Sequence, residues 1–244
     1  MTASRRAVIG GGLAALAMTG KARAEASGQP RVMAPDPTPR AVALDTPALH
    51  GNSLAFSFRQ PPAGLTVPEV NVERASGVRA LKFEPGLTLL SLWAPWCAPC
   101  LRELADFAIQ QRTYESKRFR ILPVLTNPRR DIAFAEGKAA LEKAGAGALP
   151  TVIDRSPGSS ALFDTLARRS ASMPSSLPCN LLVDDRGRLL GRSFGTPLWL
   201  NGAKLGPGEK PTAEMLATAR SSWMSPQGQA LLGALQRGEI ADSV

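Results

Sequence analysis

In Leu87-Thr88-Leu89-Leu90-Ser91-Leu92-Trp93-Ala94-Pro95-Trp96-Cys97-Ala98-Pro99-Cys100 the chain changes period. The first seven residues are almost continuously apolar and of strand length, the pattern of a strand buried on both faces. Beyond Ala98, Leu101, Leu104, Phe107, Ala108 and Gln111 recur at helical spacing, with Arg102, Glu103 and Asp106 falling elsewhere on the helix. Cys97 and Cys100 therefore stand where a buried strand becomes a helix. A sulfur at position 97 meets the unpaired N–H groups and the positive end of the helix dipole, which favour an anion. That environment lowers a thiol pKa from about 8.5 towards neutrality. Cys100, one turn inward, is shielded and positioned to attack a sulfur held at 97. Pro99 fits the first turn, where a missing N–H leaves no intrahelical bond unmade.

The rest of the chain supports an α/β architecture. Residues 71–82 read as a hairpin about Ser76-Gly77, and 119–126 as a second buried strand in which Pro123 implies an irregular or edge position. A helix is predicted over 131–144, a short strand over 149–154 and a short helix over 160–169. A strand over 180–183 turns through Asp184-Asp185-Arg186-Gly187 into its partner over 188–194. Residues 196–211 hold three Gly and three Pro and read as a loop. Ser225-Pro226 caps a last helix carrying Leu231, Leu232 and Leu235, which Gly238 stops. Strands alternating with helices give a central mixed sheet flanked by helices.

The N-terminal residues 1–24 read as a signal segment. Arg5-Arg6 precede a 14-residue apolar run rich in Gly, and Ala22-Arg23-Ala24 is a small-x-small cleavage pattern. This resembles a twin-arginine signal, and the run is shorter than the roughly 20 residues a spanning helix needs. Export to the periplasm is expected, with membrane association left open; in such a compartment disulfides persist. Residues 25–48, with Pro30, Pro35, Pro37, Pro39 and Pro47, read as a stiff linker, and 49–244 as one domain. The full chain has 29 Lys+Arg against 20 Asp+Glu; residues 1–24 contain Arg5, Arg6, Lys21 and Arg23 and no acid, which leaves 25 against 20. The excess is scattered and aromatics are few, so nucleic acid is excluded as a partner. One His and three Cys do not make a conventional zinc site.

From Leu92 through Cys100, with Glu103 three residues on and Trp223-x-Ser225-Pro226 near the end, the sequence resembles the TlpA/ResA-type thioredoxin-like thiol:disulfide oxidoreductases. The resemblance implies a thioredoxin-like fold, catalytic Cys97 and Cys100, and an active-site surround of Trp96, Ala98, Pro99 and Glu103. It implies disulfide reduction on exported partners such as apocytochrome c or copper-site assembly proteins, electrons from an inner-membrane donor, and no cofactor or metal. The family also carries a cis-proline before a strand ending in an Asp-x-x-Gly turn. Pro178, in Leu177-Pro178-Cys179, matches it better than Pro150. Three departures stand out. Ser91 occupies the place of a buried acid in thioredoxin, Ala105 that of a helix-kinking proline, and Cys179 follows the presumed cis-proline. Cys179 reads either as a small buried residue or as a third thiol beside the pair. Glu103 reads as a solvated charge on spacing alone, or as a group that orients the helix and tunes Cys100. Trp93 belongs to the core and Trp96 to a partly exposed docking surface. The rival functions are a disulfide oxidase of the same fold and a Cu(I)-binding assembly protein using Cys97, Cys100 and Cys179. A peroxidase is disfavoured by the paired cysteines.

Overall fold

The computed structural model describes residues 44, 46–61, 64–126, 131–157, 161–169, 176–195, 197–206 and 208–240. The expected signal segment and almost all of the expected linker lie outside them. The apolar run proves to be a strand, β3 (Leu87–Trp93), with all seven residues buried. It feeds α2 (Ala98–Tyr114), which returns the chain to β4 (Phe119–Leu125), parallel to β3 in the register Leu87↔Phe119 through Trp93↔Leu125. A second half begins with β6 (Cys179–Val183), antiparallel to β3, continues into β7 (Leu189–Phe194) and ends in α6 (Pro226–Arg237). A βαβ unit and a ββα unit thus share one sheet.

The remaining elements complete it. The hairpin forms as β1 (Asn71–Arg74) and β2 (Gly77–Ala80). The strand predicted over 149–154 shortens to β5 (Ile153–Asp154), which joins β1 to β4, and the order is β2-β1-β5-β4-β3-β6-β7. Helices α3 (Phe134–Lys143) and α4 (Leu162–Arg169) fall within their predicted ranges. Pro123 sits inside the sheet, opposite Ser91, yet its position is locally an edge. The N–H of Leu125, two residues on, donates to Val152 O at 2.8 Å, so the missing N–H of Pro123 belongs to the same side, where β5 does not reach back.

Alternation along the strands sorts the core onto two faces. One face gathers Leu89, Trp93, Ile121 and Leu182 with Cys100, Leu104 and Phe107 of α2 and Leu231, Leu232 and Leu235 of α6. The other gathers Leu90, Leu92, Val124, Cys179 and Leu181 with Leu162, Phe163 and Leu166 of α4.

Two expectations are corrected. Leu44, inside the presumed linker, is buried in the first cluster with Leu49, Leu54 and Phe58, so packing starts ahead of residue 49. The short helix α1 (Ser53–Ser57), capped by Asn52, lies against α6, and the backbones of Arg59 and Arg192 exchange hydrogen bonds along the outer edge of β7. Residues 196–211 are not simply a loop: β8 (Leu198–Trp199) pairs with β9 (Arg220–Ser221), with α5 (Ala213–Thr218) between them. Strands of two residues carry too little pattern to read from sequence. Among the described residues no helix is long and apolar enough to cross a membrane.

Candidate active site

The turn after β3 closes when Cys97 N–H donates to Ala94 O at 3.0 Å. Cys97 is then the N-cap of α2, and its Sγ accepts from Cys100 N–H at 3.3 Å, satisfying one of the orphan donors of the first turn. Pro99 occupies that first turn, as its chemistry allows. The two sulfurs form a disulfide. They are unequal in access: Cys97 retains 5 % exposure and Cys100 none. Around them Ala98 and Pro99 are exposed, Trp96 is 49 % exposed, and Trp93 belongs to the core.

The Leu177–Pro178 peptide bond is cis, whereas the bond before Pro150 is not. The register Leu92↔Cys179 sets Pro178 at the end of β3 from which the cysteine loop departs. The Pro178 carbonyl accepts from Gly195 N–H at 2.9 Å.

Cys179 points the other way. It lies in the cluster against α4, while Cys97 and Cys100 lie in the cluster against α2. The fold therefore separates the third sulfur from the pair by the thickness of the sheet, and a site built from all three is not assembled. Among the described residues no group of three metal-ligating side chains occurs. Burial pushes the Cys179 thiol far up, the Arg192 cation opposes this and the Glu103 charge adds to it. The result is a neutral, inert sulfur.

Glu103 is the main correction to the sequence reading: it is fully buried, not solvated. Its Oε1 accepts from Asn180 Nδ2 at 2.8 Å and from Trp223 Nε1 at 2.6 Å. Asp106 is buried as well, accepting from Arg220 Nε and from Ser221 N–H, each at 2.6 Å. Both carboxylates are affordable inside because the segment 220–223 brings donors to them. The inward face of α2 is thus Cys100, Glu103, Leu104 and Phe107, an i, i+3, i+4, i+7 set that the sequence displays. Asn180 and Trp223 are the members of the site that sequence reading missed. Ser91, which pairs with Asn180 across β3 and β6, is buried, and its Oγ has no hydrogen-bond partner among the described residues. On this face the buried acid comes from the helix and not from the strand.

No family model matches the chain, and no curated protein matches it. Among solved structures, the thioredoxin domain of a thiol-disulfide oxidoreductase from Bacteroides vulgatus is 20 % identical, with a TM-score of 0.40 over 54 % of this chain and 88 % of that one. A thiol:disulfide interchange protein from Bacteroides sp. is 20 % identical, with a TM-score of 0.43 over 53 % and 79 %. The exposed lipoprotein thioredoxin of Streptococcus pneumoniae is 20 % identical, with a TM-score of 0.41 over 53 % and 91 %. What makes the fold thioredoxin-like is internal to the chain. The βαβ and ββα halves share a sheet in the order β4-β3-β6-β7, with a Cys-x-x-Cys disulfide at the head of α2 and a cis-proline opening β6.

Proposed function

We propose that the protein is an exported thiol–disulfide oxidoreductase that reduces disulfides in partner proteins through Cys97 and Cys100. The observation that carries this reading is the inequality of the two sulfurs. One caps the helix and keeps 5 % exposure; the other is wholly enclosed one turn inward. Reduced Cys97, as thiolate, attacks one sulfur of a partner disulfide and expels the other as thiolate. Cys100, losing its proton, attacks Cys97 in the resulting mixed disulfide and releases the partner's second thiol. Two electrons and two protons pass to the partner, and the protein is left with the disulfide. A membrane-bound dithiol donor of the inner membrane restores it. Glu103 follows Cys100 at i+3 on the buried face, and its role is to orient α2 and receive or return the Cys100 proton. Leu177, beside Pro178, offers backbone for a partner strand. The electrons reside in sulfur throughout, with no cofactor invoked.

Export is supported by the Arg5-Arg6 and Ala22-Arg23-Ala24 pattern. Partners engaged in cytochrome c or copper-site assembly are proposed from the sequence resemblance alone. The test is a redox titration coupled to single-turnover reduction of a small disulfide. A reductase has a potential below about −200 mV, whereas a value near about −120 mV assigns the same residues to an oxidase. Cys97→Ser abolishes turnover and Cys100→Ser halts it at the mixed disulfide; equal behaviour of the two variants would overturn the scheme.

A further inference from the structure

Beside the disulfide, between α2 and α3, lies a groove of about 500 Å³ lined by Pro95, Leu101, Arg102, Ala140, Lys143 and Ala144. Two of these residues flank the cysteine pair directly: Pro95 is two before Cys97, and Leu101 follows Cys100. The floor is apolar, since Leu101, Ala140 and Ala144 are partly buried and pack on the core beneath. Arg102 and Lys143 are exposed at the rim. Several cations elsewhere on the molecule are held by carboxylates. Arg220 is held by Asp106, Arg155 by Glu73 and Asp131, Arg120 by Glu84, and Lys138 by Glu142. Arg102 and Lys143 have no such carboxylate among the described residues. Of the acids adjoining the groove in sequence, Glu103 is buried against Asn180 and Trp223 and Glu142 is turned to Lys138 at 3.7 Å. An apolar trough carrying two uncompensated positive charges thus opens within a residue or two of the reactive sulfurs.

We infer that this groove selects the partner: it receives an acidic, extended segment flanking the partner's cysteine, with an apolar side chain in the trough and carboxylates against Arg102 and Lys143. This rests on the oxidoreductase reading and adds a substrate class to it. Complementary charge at such a rim acts on encounter, raising association rates by roughly ten-fold or more at low salt and fading as the Debye length shrinks. The half-exposed Trp96, between Pro95 and Cys97 in the chain, adds apolar surface beside the pair.

The experiment uses the full-length protein, reduced with dithiothreitol and freed of it, in single turnover against three disulfides. Two are synthetic peptide dimers, each joined by one disulfide and carrying a leucine beside the cysteine, one flanked by glutamates and the other by lysines. The third is the small neutral 2-hydroxyethyl disulfide. Each turnover converts the protein dithiol to its disulfide and the dimer to two thiols. With rates divided by that for 2-hydroxyethyl disulfide, the acidic dimer is reduced about ten-fold faster than the basic one at low salt. The ratio falls towards one at 1 M salt and inverts in the Arg102→Glu/Lys143→Glu double variant, with Arg102→Gln/Lys143→Gln intermediate. Equal rates for the two dimers, with 2-hydroxyethyl disulfide still reduced, overturn the inference and leave the oxidoreductase reading intact. A preference that survives in both double variants overturns the assignment to this groove. Failure to reduce 2-hydroxyethyl disulfide overturns both readings together.

Discussion

Glu103 concentrates the energetics of the site in one carboxylate. Two donors converge on its Oε1, the amide of Asn180 and the indole of Trp223, and none of the three groups reaches water. Removing an acceptor from buried donors costs about 1–3 kcal/mol for each donor left unsatisfied. Glu103→Ala is therefore expected to lower stability by roughly 3–5 kcal/mol, through two stranded donors and the vacated volume. Glu103→Gln keeps an oxygen for Asn180 and Trp223, so a urea titration should show a loss of about 1 kcal/mol or less. It removes the group able to hold the Cys100 proton, however. The rate of mixed-disulfide resolution should fall in Glu103→Gln. Stopped-flow traces measure this directly. An unchanged rate alongside normal stability would reduce Glu103 to a structural anchor.

At the scale of the elements, the α6 docking surface shows how a glycine can look wrong in sequence and be required in space. Gly228 stands in the first turn of a helix, where Gly is normally inferior to Ala by up to about 1 kcal/mol. A β-carbon there would meet the backbone oxygens of Ser222 and Trp223 at 2.4 and 2.5 Å. Neither oxygen can yield without moving Trp223, whose ring packs against Phe107 at 5.1 Å between centroids. Gly228→Ala is thus expected to destabilise the fold by about 2–3 kcal/mol despite the better helix former. The thermal midpoint measures this, and a rise would show that the helix shifts freely. Long elements with one dominant pattern were legible in advance: β3 from its unbroken apolar run, and α6 from Ser225, Pro226 and Gly238. Helix α2 was legible in its start at Ala98, but its buried face was misphased. Its burial of Glu103 and Asp106 depends on Arg220, Ser221 and Trp223, more than a hundred residues away. The β8–β9 ribbon that delivers those donors has two residues per strand and no readable period.

For the whole molecule, the sequence marked the cysteine pair at the strand-to-helix turn and Pro178 better than where the folded unit begins. The cysteine pair and Pro178 are local motifs, whereas the packing of residues 44–59 is a long-range matter that proline content obscured. Leu44, Leu49, Leu54 and Phe58 enter the same core as α6, with Phe58 edge-on to Trp223 at 6.0 Å. Asn52 both caps α1 and donates through Nδ2 to Gln227 O at 2.8 Å. The segment does a second job at its end, where Arg59 bridges to Arg192 and covers the outer edge of β7. An uncovered edge strand is a template for pairing with other chains. A chain beginning at residue 60 therefore loses at once the apolar cover over Trp223 and the Arg59 pairing that covers β7 at Arg192. It should melt without a sharp cooperative transition and elute from a sizing column at a larger size than the full chain. Phe58→Ala, which leaves the edge covered, should elute like the full chain while losing about 3–5 kcal/mol. The two variants separate the roles: if the shortened chain melted cooperatively as a monomer, the segment would be an accessory to a domain complete without it. If Phe58→Ala itself oligomerised, exposed core and not the open edge would be the cause of association.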